Sequence, residues 1–473
     1  MLVYCPIGLT SMKTALFLGT IVLMLVTVLI IPAQQPARPA EHIAPDPLFL
    51  AVDVAPPVTS RTAIYNFQGS PGDGAYPSAG LVISSETAVY GTTQAGGTAG
   101  LGTVFELKPP AVKGGAWTET VLHNFTGGSD GIYPYASLAI GGGGVLYGTT
   151  AAGGNGVIPC YMGVSGCGTV FSLAPPVSGQ GAWTETVLYN FTDGSDGGNP
   201  VAGVVIGRGA VLYGTTRNGG SGACGQGCGT VFSLAPPVSP GGLWTEKALH
   251  EFGAPGDGAQ PAASLTIGDG VLYGTTYYGG SSGVGTVFSL APPAGPGGAW
   301  TETILHNFTG GGSDGINPSV GVTIGSGGVL YGATFSGGGT VCGYGSGCGT
   351  VFSLAPPSSP DGAWEETVLH FFMGSDGALP EGSLAIGSNG VLYGTTSAGG
   401  TADECFAGCG TVFQLTPPLH LGGSWTETVL HSFTNSDGSS PVAGVAVGQS
   451  GALYGTAQTG GTTGLGTAFA LKP

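Results

Sequence analysis

Apolar and polar positions alternate in short bursts along most of this chain. Runs of five to nine residues rich in Val, Leu, Ile, Tyr and Phe are separated by stretches of Gly, Ser, Asp and Pro. One set reads ASLAI (136–140), GVLYGTT (144–150), GTVFSL (168–173) and WTETVLYNF (183–191), the last matching WTETVLHNF (117–125) of the preceding copy. Their length, aromatic and β-branched content and flanking turn residues predict four short strands. No helical periodicity recurs beyond an apolar run near the N-terminus. Ala, Gly and Ser dominate the first strand of each set, whereas Tyr, Phe and Trp gather in the later ones. That gradient predicts a blade whose first strand crowds an axis while its outer strands fan apart. A Glu recurs two residues after Trp in the outermost strand (Glu119, Glu185, Glu246, Glu302, Glu366, Glu427). Such a charge is expected to guard a sheet edge against pairing with another chain.

The set repeats. Tyr-Gly, usually within VLYGTT, begins at Tyr90, Tyr147, Tyr213, Tyr273, Tyr331, Tyr393 and Tyr454, at intervals of 57, 66, 60, 58, 62 and 61 residues. Seven four-stranded units predict an all-β, seven-bladed β-propeller, with an open solenoid as the rival. The two ends of the chain distinguish them. Trp and Phe stand eight apart in six outer strands (117/125, 183/191, 244/252, 300/308, 364/372, 425/433), but the seventh copy stops at GTAFALKP. The segment RTAIYNF (61–67) precedes the first unit, matches the end of an outer strand and has no inner strands of its own. It is expected to complete the last blade, which only a closed ring requires.

Gly and Pro exceed a quarter of the residues, charged residues are 7% and apolar residues 41%, so a turn-rich chain can still bury a core. A net charge of −17 with nine Lys and Arg excludes nucleic acid and anionic lipid as partners. The run Ala15 to Ile31 predicts either a signal peptide or an N-terminal anchor over residues 1–33, with Met12 as an alternative start. A Pro/Ala-rich linker (34–60) and the propeller (61–473) follow. Cys5 precedes the apolar run and is no lipoprotein cysteine. The other eight cysteines form four close pairs (Cys160–Cys167, Cys224–Cys228, Cys342–Cys348, Cys405–Cys409), each in the longer repeats. No His lies near them in sequence, so local disulfides in an oxidising compartment are expected rather than halves of metal sites. A monomer that is secreted, periplasmic or on the cell surface follows, touching membrane only through an uncleaved N-terminal segment.

The combined pattern LxIGxxGVLYGTTxxGG…GTVFSLxPP…WTETVLHNFTGGSDGxxP resembles the Gloeo/Verruco repeat of exported bacterial proteins. The resemblance spans Arg61 to Pro473. It implies a repeat protein at or beyond the cell surface and brings no established catalytic residues. Relatives often end in a sorting signal; here an anchor is expected at the N-terminus.

Asp-Gly-x-x-Pro occurs in all seven copies, at Asp73, Asp130, Asp196, Asp257, Asp314, Asp376 and Asp437. A ring of carboxylates could bind calcium, but each copy offers one carboxylate where a calcium loop needs several oxygens. A turn is the preferred reading: Asp caps backbone N–H groups, Gly takes positive φ and Pro sets the next strand. No cofactor and no metal are otherwise expected. The column His123, His250, His306, His370 and His431, with Tyr65 and Tyr189 in the remaining copies, is expected to pack rather than bind metal. Ligand contacts are expected where the repeats disagree. Before each Pro stand Tyr76, Tyr133, Asn199, Gln260, Asn317, Leu379 and Ser440; after YGTT stand Gln94, Ala151, Arg217, Tyr277, Phe335, Ser397 and Gln458. Aromatics, amides and one Arg could stack on and hydrogen-bond a carbohydrate or peptide. Asp403 and Glu404 are the one acidic pair expected on that face. These features predict a non-catalytic binding, adhesion or scaffold module. The alternatives are a carbohydrate-active hydrolase or lyase with its site at the channel mouth, and a purely structural surface protein.

Overall fold

The computed structural model describes residues 60–473, except 70, 85–87, 113, 157–158, 162, 178, 180, 240, 296, 340–341, 343–345, 360–361 and 421. The expected leader or anchor and all of the linker but Ser60 lie outside the described residues. Seven four-stranded antiparallel sheets follow one another along the chain. Blade 2 is representative: an inner strand Ala139–Ile140, a second strand Leu146–Thr150, a third Thr169–Ala174 and an outer strand Thr184–Asn190. The inner strands are only two or three residues long, shorter than the apolar runs suggest. No helix among the described residues is long and apolar enough to cross a membrane.

Blade 7 takes Ala446–Val447, Leu453–Ala457 and Thr467–Lys472 from the C-terminus and its outer strand, Ser60–Asn66, from the other end. Ser60 pairs with Lys472 and Asn66 with Thr467. The ring is therefore closed by a strand from the start of the propeller, which excludes the open solenoid.

Aromatic contacts fasten each blade to the next. The Phe that ends one outer strand meets the third-strand Phe of the following blade edge to face, at centroid distances of 5.0–5.3 Å. Phe67 against Phe105 is the closing contact from blade 7 to blade 1. All fourteen of these rings are almost wholly buried, and each contributes roughly 2–3 kcal/mol through burial. The Gly of each Tyr-Gly exists for this packing: a Cβ on Gly148 would sit 2.6 Å from Phe171. Six of the seven second strands also reach the next blade with a Thr hydroxyl. Thr149 donates to Ala202 at 2.9 Å, and Thr456 closes the ring by donating to Ala79 at 2.9 Å. Blade 5 has Ala333 at this position.

The outer strands carry a bulge that sequence alternation does not reveal. In blade 1 Leu107 faces Glu119 and Phe105 faces Val121, but Val104 faces His123, leaving Leu122 as an extra residue. The same shift recurs in every blade. Residues directly opposite in an antiparallel pair share a face. The bulge therefore turns Glu toward the preceding blade and His toward the following one. The recurring Glu is thus not a solvent-facing edge guard: one carboxylate oxygen of each is buried between blades.

Candidate functional site

The segments that lead from each Asp-Gly-x-x-Pro turn into the inner strand, one from every blade, line an axial channel, with a cavity of about 330 Å³. At one end it opens into a mouth of about 610 Å³, lined among others by Ser78, Tyr135, Arg217, Glu381, Ser397 and Gln458. The Asp-Gly-x-x-Pro turns build this mouth. In each turn the residue before Pro is left-handed, with φ between 53° and 58°. Its N–H donates to a carbonyl of the preceding blade's loop at 2.7–3.1 Å, as from Asn199 to Cys167 and Ser440 to Cys409. Its own carbonyl accepts from the residue after YGTT at 3.0–3.3 Å, as from Arg217 to Asn199. The two variable sets predicted from sequence are therefore neighbours in every blade, on the face that carries the cysteine loops.

Their side chains divide into structural and mouth-facing groups. Asn199 is buried and donates to the Ala151 carbonyl, and Asn317 to that of Tyr277, each at 2.8 Å. Asn tolerates positive φ better than most residues, so its choice here reflects the turn. Phe335 packs against the core between blades 5 and 6, and Leu379 is buried in it. Tyr76 is exposed, Tyr133 packs near Tyr135 at 6.2 Å, and Gln260 is half-buried. Arg217 lines the mouth. Tyr277 lies within electrostatic reach of both Glu381 and Arg217; burial first, then Tyr278 and Glu381, push its phenol up, and Arg217 opposes them. Asp403 lines a separate cavity with Cys342, Met373 and Phe406. Asp403 and Glu404 are both exposed, and neither lines the mouth.

Glu381 is the residue that sequence reasoning missed. It follows the Pro of the sixth turn, where the other blades carry Ser78, Tyr135, Val201, Ala262, Ser319 and Val442. The signal was available: the position after Pro varies as much as the one before it. Burial raises its carboxyl above the usual range, only partly offset by the Ser397 hydroxyl, which donates to it at 2.8 Å. Across the mouth a polar chain links three blades. Gln458 donates to Ser78 at 2.8 Å, Ser78 to Gln94 at 3.4 Å, and Gln94 to the Tyr135 hydroxyl at 3.1 Å.

The seven Asp residues lie elsewhere, at the margins between blades. Each caps its own turn, accepting a backbone N–H at 2.6–3.1 Å. The expected positive φ holds for Gly131, Gly197, Gly377 and Gly438. Gly74, Gly258 and Gly315 are needed for a different reason, since a Cβ there would lie within 2.5 Å of a Thr side chain. Each Asp also meets the His/Tyr column, whose His rings pack edge-on against the following Phe. His370 and His431 stand 2.9 Å from their Asp partners and His250 3.1 Å, whereas His123 and His306 stand off at 3.6 and 3.8 Å. Tyr65 and Tyr189 donate to Asp73 and Asp196 at 3.0 and 3.1 Å. All four cysteine pairs are disulfides. Their second members, such as Cys167, occupy the place of Leu101, Val284 and Leu465 in the shorter loops.

The model of the Gloeobacter/Verrucomicrobia repeat matches residues 51–226, 160–345 and 339–473. The chain belongs to this family. Among curated proteins, none matches the sequence. Similar solved structures include a carbohydrate-active enzyme of family AA12 from Trichoderma reesei, with 12% identity, a TM-score of 0.42, and 89% of this chain and 97% of that one covered. A glucose dehydrogenase is similar at 13% identity and a TM-score of 0.40, covering 87% and 98%. A luciferin-regenerating enzyme is similar at 13% and 0.40, covering 85% and 92%. At these values the likeness bears on no site or activity of this repeat protein.

Proposed function

We propose that this repeat protein is an exported, non-catalytic binding module that takes a saccharide at the channel mouth. Glu381 carries the reading: among the described residues it is the one acid lining a mouth otherwise built of hydroxyls, Gln458, Tyr135, Arg217 and aliphatic side chains, with Tyr277 in electrostatic reach. Such a set offers donors, acceptors and aromatic faces to a polyol, with the specificity of a few placed polar groups. Hydrolysis of a glycoside commonly uses two carboxyl groups flanking the bond, and Asp403 and Glu404 stand away from the mouth. Four disulfides fit an oxidising compartment.

A screen of saccharides and peptides against the full chain tests this. A saccharide is expected to bind, and Glu381→Gln, Arg217→Ala and Tyr277→Ala should each weaken it about tenfold, as the loss of one buried hydrogen bond to a charged group predicts. Turnover of the saccharide, binding of peptides alone, or affinity indifferent to all three substitutions would sink the reading.

A further inference from the structure

The outer-strand bulge assembles a group at each margin between blades: the His or Tyr of one blade, the Asp of the following turn, and the Glu of the next outer strand. In six margins that Glu has a buried carboxylate oxygen without a hydrogen-bond partner among the described residues. The seventh margin differs. There Ser60–Asn66 places Arg61 where the Glu would stand, and its guanidinium meets Asp437 at 3.1 Å, donates to the Asp437 carbonyl and lies 5.1 Å from the Phe433 ring. The same cleft thus receives a built-in cation in one margin and a second carboxylate in six.

The margin between blades 5 and 6 is the tightest. His370 Nε2, Asp376 and Glu427 have ligand atoms within 4.8 Å of one another. His370 and Asp376 are 19% and 18% exposed, so an ion could enter and retain water. We propose that His370, Asp376 and Glu427 form a binding site for a divalent transition metal ion such as zinc. An imidazole nitrogen with two carboxylates suits zinc or manganese rather than calcium, which takes oxygen ligands. The two carboxylates also balance a doubly charged ion. Drawing three atoms already this close to coordination distance needs small side-chain shifts. Margins with Tyr65 or Tyr189 lack the nitrogen, those with His123 or His306 have it farther from the Asp, and His250, Asp257 and Glu302 do not gather their ligand atoms as closely, so one site per chain is expected among the described residues. This site does not depend on the saccharide reading.

Full-length protein without a polyhistidine tag, stripped with EDTA, is titrated with zinc chloride by calorimetry and with cobalt(II) by visible absorption. One equivalent should bind in the micromolar range or tighter, with cobalt bands of a low-coordinate site. His370→Gln and Glu427→Gln should each weaken zinc at least tenfold and abolish the bands, while Glu366→Gln leaves both unchanged. Glu427→Gln preserves shape and carries the test if the His370 variant misfolds. Binding weaker than about 100 µM, or binding unaltered by Glu427→Gln, would overturn the proposal.

Discussion

Six glutamates, one in each outer strand that begins with Trp, are pressed against an aspartate of the preceding turn. Burial is the first cause that raises the Glu119, Glu185, Glu246 and Glu302 carboxyls to about 7, with the facing Asp adding to it. Glu366 and Glu427 also rise to about 7 by burial, with a nearby His opposing and the Asp adding. An acid with a raised folded pKa keeps a proton that the unfolded chain has released, so stability falls as pH climbs from 4.5 toward 7. Discounted for solvent screening, each glutamate is worth roughly 1 kcal/mol over that window. Half-buried His123 works the other way, its pKa lowered by burial against the pull of Asp130. At the acid end Asp437 is held at about 2, since His431, the Thr434 N–H and Arg61 outweigh its burial; its support is lost below pH 4. The melting temperature in EDTA should therefore be several degrees higher at pH 5 than at pH 8. A flat or inverted profile would count against the buried glutamates. At this scale Arg217 and Tyr277 were legible because repeats disagree there. Glu381 was equally singular in sequence, but that the residue after each Pro lines the channel shows only in the fold.

The blade was legible as an element because its strands differ so sharply in composition, and GTVFSL and WTETVL fall where the third and outer strands do. The bulge at Leu122 and its equivalents was not. Simple alternation puts Glu119, Val121 and His123 on one face, and only the observed register separates them. The Thr hydroxyl that ties each second strand to the next blade was also hidden, since its acceptor lies about fifty residues away. Blade 5 lacks it. Ala333→Thr should restore this hydrogen bond toward the segment before the inner strand of blade 6, where Gly382 stands in place of the usual Ala or Val. A gain of up to about 1 kcal/mol is expected, read as a higher denaturation midpoint. A lower midpoint would mean that blade 5 packs differently there from its neighbours.

For the whole molecule, closure makes every margin equivalent enough to stack yet leaves one margin distinct. The displaced strand was readable from RTAIYNF because its final Phe keeps the outer-strand pattern. The role of Arg61 was not, because Thr59 stands where the other strands have Trp and the alignment there is weak. The mouth, the margins and the salt bridge of Arg61 all presuppose that Ser60–Asn66 belongs to blade 7. Thermal unfolding of the full chain against a variant lacking Ser60 to Phe67 measures this most directly. The account predicts a fall in melting temperature of more than about 10 °C, because blade 7 loses a strand, Phe105 its partner and Asp437 its cation. An unchanged melting temperature would contradict closure.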